Sequence, residues 1–251
     1  MSKQHAAYSR ISESDTIVVF VHGIQGSPRQ FNYIASNVPK HIDYMCVLLP
    51  GHGKTIREFC RSGRKEWIEY FDGICSDLRG RYKRIYFVGH SMGCLIGIDA
   101  MIRKTIQFDG MLLMACPLKI RLNVGYVLMC LKTTCTQKSS DSYLRAMQEA
   151  NSIETSTPWK LFTCMKPYFG LASLIFRVRT EIRHLNAKVC IIQSDCDEIV
   201  SSRTIRISSK IRNCKVVIAP NSGHFYYSSE ANSIICRELC LLMAEPTLLK
   251  H

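Results

Sequence analysis

The chain has 251 residues, 47% of them apolar, which is enough for one sizeable core and ordinary for a soluble globule. Its 33 Lys and Arg against 20 Asp and Glu give a net charge of +13, spread along the chain without a nucleic-acid motif. That balance excludes a nucleic-acid partner from the expectation and leaves a pull on anionic substrates and weak association with anionic lipid surfaces.

No apolar run reaches the length of a membrane span. The polar start Met1-Ser2-Lys3-Gln4-His5 leads into no signal-peptide core, so a cytoplasmic location is the expectation. Strand-length apolar runs then alternate with helical patterns. Ile17–Val21 reads as a strand, and Pro28–Val38 as a helix with Ser27 as its N-cap. Asp43–Leu49 is a second strand, ended by Pro50-Gly51, and Glu66–Tyr82 is an amphipathic helix. Arg84–Val88 is the third strand, followed by a helix over Cys94–Lys104. Gly110–Cys116 is the fourth strand, stopped by Pro117, and Lys188–Gln193 the fifth. Ser201–Ile211 is helical, Lys215–Ala219 is the sixth strand, and Ser229–Met243 the last helix. Continuous apolar strands separated by helices imply an α/β fold: a mostly parallel sheet of at least six strands with helices on both faces.

The rhythm breaks between Pro117 and Asn186, a gap of about seventy residues, too long for a simple crossover. The expected organisation is a core of residues 1–117 and 186–251 with a helical cap, 118–185, over the carboxyl ends of the strands. Tyr126, Met129, Trp159, Phe162 and Phe169 are the cap residues expected to line a pocket. Thirteen cysteines cannot all pair within one chain. Most sit in apolar runs (Cys46, Cys94, Cys116, Cys190, Cys214), where a thiol acts as a small hydrophobe. Cys130 with Cys135 and Cys236 with Cys240 are the nearest pairs. With no Cys-x-x-Cys they read as buried thiols, and no metal or cofactor is expected.

Gly89-His90-Ser91-Met92-Gly93 lies between a strand-like and a helix-like run, and reads as a nucleophile elbow. Such a turn is too tight for a Cβ at the two flanking positions. It lifts the Ser91 hydroxyl to the top of the sheet, at a helix N-terminus whose N–H groups can face a developing oxyanion. The hydroxyl needs a base. Asn221-Ser222-Gly223-His224-Phe225 follows the last strand and puts His224 at a strand carboxyl end, where ligands bind in open α/β sheets. The base needs an acid, and Asp195, Asp197 and Glu198 follow the fifth strand. Asp197, just ahead of Ile199-Val200, is the choice; Asp195 is the rival, with bracing of the loop as its other role. Met92 and Ile24 are the expected oxyanion N–H donors, Ile24 from the loop His22-Gly23-Ile24-Gln25-Gly26, which His22 orients. No Gly-Lys-Ser follows that loop to make it a phosphate cradle.

Together the strand ending in His22-Gly23, the loop Leu49-Pro50-Gly51-His52-Gly53, the elbow, Asp197-Glu198-Ile199-Val200 and Ser222-Gly223-His224 resemble the α/β-hydrolase superfamily. Within it the chain is similar to small carboxylesterases and monoacylglycerol-lipase-like proteins. The resemblance implies Ser91 as nucleophile, His224 as base, Asp197 as its acid partner, and no cofactor. Two features depart from it. Cys94 stands where related lipases often carry a second glycine, and the stretch Leu118–Arg183 holds ten Lys or Arg against four Asp or Glu. The expected activity is hydrolysis of small-molecule carboxylic esters with apolar, short-to-medium acyl groups. A thioesterase or aminopeptidase with the same triad is the alternative among enzymes, and a small-molecule-binding or signalling protein on this scaffold the alternative outside them.

Overall fold

Residues 5–121, 140–153 and 158–244 are described in a computed structural model of the chain. Tyr8–Arg10 (β1), Thr16–Val21 (β2), Asp43–Val47 (β3), Arg84–His90 (β4), Gly110–Met114 (β5), Lys188–Ser194 (β6) and Asn213–Ala219 (β7) form one sheet. Its order is β1-β3-β2-β4-β5-β6-β7. All neighbours are parallel except β1, which pairs antiparallel with β3. The α/β class and the mostly parallel sheet read from the apolar runs are therefore present. The helices are Asn32–Ser36 (α1), Ile56–Arg61 (α2), Arg64–Arg81 (α3), Met92–Ile102 (α4), Ser142–Ala150 (α5), Met165–Glu181 (α6), Thr204–Ser208 (α7) and Ser229–Ala244 (α8).

β2 shows why the strands read as continuous apolar runs. All six of its residues are buried. Side chains alternate across a sheet, so Ile17, Val19 and Val21 join the core on one face, with Trp67 and Phe71 of α3 and Leu95 and Ile98 of α4. Val18 and Phe20 join the core on the other, with Ile34 of α1 and Ile235 and Leu239 of α8. A strand covered on both faces has no solvent-facing position for a polar residue. Each large side chain withdrawn this fully contributes about 1.5–3 kcal/mol.

Four elements differ from the sequence reading. β1 is three residues long and partly exposed, too short to show a period. It is held by Arg10, whose guanidinium donates to the carbonyls of Val38, Pro39 and Ile42 at 3.0, 2.6 and 2.8 Å. The helix expected over Pro28–Val38 is a 3-10 turn, Pro28–Phe31, followed by α1, and Ser27 makes no side-chain cap. Ser201–Ile211 is α-helical only over α7. α2, absent from the reading, is a short helix started by a capping box between Thr55 and Glu58.

The stretch 118–185 divides by its packing. α6 lays Leu174, Ile175 and Val178 into the same core as α3 and α4. Phe59, Ile153, Leu161 and Cys164 form a separate small cluster, with Ile24 and Tyr168 packed against it. Here Cys60 is disulfide-bonded to Cys164, 104 residues away. The sequence reading assigns neither of these two cysteines, and no spacing in the sequence could mark a pair so far apart. Cys46, Cys94, Cys116 and Cys190 are buried free thiols as expected, whereas Cys214 and Cys236 are only partly buried and Cys240 is exposed, because the last two lie on a helix with one face in solvent. Cys130 and Cys135 lie outside the described residues. No described helix is long and apolar enough to cross a membrane.

One buried charge ties three helices together. Asp99 of α4 is fully buried and accepts from Arg103 Nε at 2.6 Å and from Arg177 Nε of α6 at 2.5 Å. Arg103 also forks onto Asp72 of α3, at 2.7 and 2.8 Å. Both arginines reach partial solvent, so losing Asp99 leaves them less stranded than a wholly buried pair would be. Asp99→Ala is expected to lower unfolding free energy by about 3 kcal/mol, read from urea denaturation. A change below about 1 kcal/mol, the range of exposed pairs, would contradict this account.

Candidate active site

Ser91 is the single residue between β4 and α4. Its φ of 50° and ψ of −119° lie outside the conformations a serine prefers. The turn is held by Ser91 N donating to Met114 O at 2.9 Å, and by Cys94 N donating to Ser91 O at 3.0 Å. A Cβ at Gly93 would sit 1.9 Å from Val21 O, and one at Gly89 2.7 Å from Cys94 N. Helix and strands are thus pressed together where only glycine fits, as the elbow motif requires. Cys94 does not disturb this contact; its buried thiol points to Met114 O at 3.3 Å.

The loop after β7 brings His224 to Ser91. His224 Nε2 is 3.1 Å from Ser91 Oγ. His224 Nδ1 is 3.1 Å from each carboxylate oxygen of Asp197, and all three side chains are buried. Asp197 Oδ1 also accepts from the N–H groups of Ile199 and Val200, at 2.9 and 2.7 Å. Burial opposes ionisation of this carboxyl. The facing imidazole and the two N–H donors outweigh it and hold Asp197 below the usual carboxylate range. Asp195 takes the rival's role. It accepts from Ser222 N at 3.0 Å and Asn221 N at 2.9 Å, bracing the two loops against each other, and these donors, Ser222 first, lower its pKa.

Two grips around this centre join partners that the sequence does not pair. Glu198 Oε2 accepts from His224 N at 3.0 Å, so the histidine is held through its main chain as well as its ring. Arg121 pairs by its N–H with Ile199 O at 2.7 Å and by its guanidinium with Asp197 O at 2.5 Å. Glu198 is visible as an acid beside Asp197, but its partner is 26 residues away.

The loop after β2 passes close to Ser91: a Cβ on Gly23 would be 2.9 Å from Ser91 Cβ. His22 fixes the loop as expected, and its tautomer follows from its partners. Leu49 N can only donate, so His22 Nε2 accepts at 3.1 Å, and Nδ1 carries the proton toward Gly23 O at 2.8 Å. The other side of the loop is tied to residues of the expected cap. Gln25 Nε2 donates to Tyr168 Oη at 2.6 Å, and Ser152 N donates to Gln25 O at 2.7 Å. Met92 is the first residue of α4 and is buried, and Ile24 is half-buried beside the small cluster of Phe59.

Of the cap residues expected to line a pocket, Phe169 lies exposed on α6, turned away from the core. The backbone of Trp159 and Phe162 forms a 3-10 turn, Pro158–Thr163. Tyr126 and Met129 lie outside the described residues. Among the described residues no cluster of His, Cys, Asp or Glu could hold a metal ion.

A seven-stranded α/β sheet carrying Ser, His and Asp in hydrogen-bonded sequence, at the carboxyl ends of β4, β7 and β6, defines the class of α/β hydrolases. The chain belongs to the alpha/beta hydrolase family, whose model matches residues 18–233. No curated protein sequence matches it. Its fold is similar to that of one of the two metagenome-derived lipolytic enzymes LipS and LipT, with a TM-score of 0.76 at 16% identity over 97% of this chain and 99% of the other. It is also similar to the monoacylglycerol lipase of Paleococcus ferrophilus, with TM-score 0.64, 14% identity, and 95% and 98% of the two chains covered. The thioesterase domain of the curacin biosynthetic pathway is similar too, with TM-score 0.62, 14% identity, and coverage of 95% and 94%.

Three histidines beside the site are buried and neutral. Desolvation depresses His22 well below 6.5, His52 to about 4 and His90 to about 3, with the neighbouring histidines adding to it for His22 and His90. The unfolded chain binds these protons near pH 6.5 and the folded chain does not. Their full contribution to stability is therefore present above pH 6.5 and drains away as pH falls from 6.5 toward those values. The limiting slope is about 1.4 kcal/mol per pH unit per histidine. The urea midpoint is expected to drop between pH 7 and pH 5, above the carboxylate range, and His52→Phe to flatten that drop. A midpoint independent of pH in this window would refute the assignment.

Proposed function

We propose that this chain is a serine hydrolase that cleaves carboxylic esters with apolar, short-to-medium acyl groups through an acyl-enzyme. The observation that carries the reading is the unbroken path Ser91 Oγ–His224–Asp197, at 3.1 Å for each link. His224 takes the Ser91 proton as Oγ attacks the ester carbonyl, and Asp197 stabilises the resulting imidazolium. The N–H groups of Met92 and Ile24 receive the oxyanion: Met92 opens α4, and Ile24 follows the Gly23 that lies against Ser91. His224 then protonates the leaving alcohol, and later activates the water that releases the acid. Ile24 of the oxyanion loop packs, with Tyr168, against the buried apolar cluster of Phe59, Ile153 and Leu161, and these apolar surroundings support an apolar acyl group. Glu198 and Arg121 are positioning residues in this reading, since they act on the main chain of His224 and Asp197. A thioester would be attacked by the same groups, and the likeness to a thioesterase domain supports it as the second reading.

A p-nitrophenyl ester series from acetate to palmitate tests the proposal. Wild type should turn over repeatedly with an optimum at short to medium chains, and Ser91→Ala should lose about 10⁴-fold or more in kcat. Folded wild-type protein inert on every ester but active on acyl thioesters would replace the ester reading with the thioester one. Glu198→Ala should lower kcat about tenfold with KM little changed, because it loosens His224 and not the substrate. Glu198→Gln keeps an acceptor for His224 N and should recover most of that loss. Equal loss in both variants, or loss in KM alone, would remove Glu198 from the positioning role.

A further inference from the structure

The outer face of α6 is not that of an ordinary surface helix. Met165, Phe169 and Phe176 are 53%, 65% and 72% exposed. At 3.6 residues per turn these positions share one face, opposite Leu174 and Val178, which are buried in the core. Single exposed apolar residues are common. Here three large ones are aligned on one helix, and cations flank them. Lys166 and Arg177 lie along one side of the stripe and Arg179 along the other, with Arg183 beyond the helix end and Arg64 of α3 donating to Ser173 Oγ.

The acids facing this surface are few. Glu66 pairs with Lys166, Asp99 lies buried beneath Arg177, and Glu181 faces His184 at 3.8 Å. Among the described residues no carboxylate pairs with Arg64, Arg179 or Arg183. An apolar stripe bordered by Arg and Lys, on a chain of net charge +13, has the chemistry of a helix that lies in the plane of an anionic bilayer. Aromatic rings enter the boundary of the acyl chains while cations meet the headgroup phosphates.

We propose that the Met165–Phe169–Phe176 face of α6 docks this protein on anionic lipid surfaces. The same helix carries Tyr168, whose hydroxyl holds Gln25 in the loop beside Ser91. A bilayer seated on Phe169 therefore lies one residue from a side chain bonded to the loop beside Ser91. The proposal does not depend on the ester-hydrolysis reading, because binding is read without turnover.

The test is co-sedimentation of the Ser91→Ala protein with phosphatidylcholine vesicles, with and without phosphatidylserine. Binding should require phosphatidylserine and weaken as salt is raised. Met165→Ser with Phe176→Ser should weaken it about tenfold, with an unchanged melting curve showing that the fold is kept. Arg179→Glu with Arg183→Glu should remove the preference for phosphatidylserine. Absence of binding to both vesicles, or binding by folded variants equal to wild type, would overturn the proposal. A wild-type dimer that the Met165/Phe176 variant converts to monomer, without vesicle binding, would assign the stripe to a second copy of the chain and overturn it equally.

Discussion

The contact between the first turn of α4 and the end of β2 sets the geometry of the whole site. Gly93 packs where a Cβ would meet Val21 O at 1.9 Å, so the helix can begin only one residue after β4 ends. That residue, Ser91, takes up the reversal in a single unfavourable φ/ψ pair. The strain is sustained because everything around it is rigid: β4 is bonded to β2 and β5 along its length, and Ser91 N is itself anchored to Met114 O. A hydroxyl held this way is pre-positioned before any ligand arrives, which is where catalytic geometry gains most.

The groups that meet Ser91 come from loops, and loops need other restraints. The His224 loop is gripped from three sides: its ring by Asp197, its main-chain N–H by Glu198, and its carbonyl by His90 Nε2 at 2.8 Å. The Asp197 loop is in turn tied to Arg121 and, through Asp195, to Asn221 and Ser222. Buried neutral histidines complete the surround. They can act as hydrogen-bonded spacers because desolvation keeps them uncharged. The same burial makes the region sensitive to acid, so its rigidity and its pH dependence have one cause.

Much of this was legible in the sequence because the decisive signals are local. β2, β4, β5 and β6 are short apolar runs closed by loop residues. The elbow needs small residues within a five-residue window, and Asp197 and His224 lie in the loops that open after β6 and β7. What escaped had no local period or depended on distant partners. β1 has three residues, and α2 six. Cys60 and Cys164 meet only after α2 and the start of α6 have packed together. α6 falls within the stretch read as a helical cap, where the sequence reading marks no single helix. Which of its faces enters the core is decided by α3 and α4, to which it is also bound through Asp99 and Arg177.

The sequence by itself determined the succession of β2 to β7 along the chain and their parallel class, the elbow, and the residue types at each strand end. Each of these follows from steric or burial rules that act within a few neighbouring residues. Only the tertiary structure decided that Glu198 reaches a main-chain N–H, that Arg121 grips the Asp197 loop, and that Phe169 turns outward rather than toward the site. Those outcomes depend on distances of a few ångströms between segments far apart in the chain. Close packing of the whole sheet sets such distances, and no pattern within a single segment encodes them.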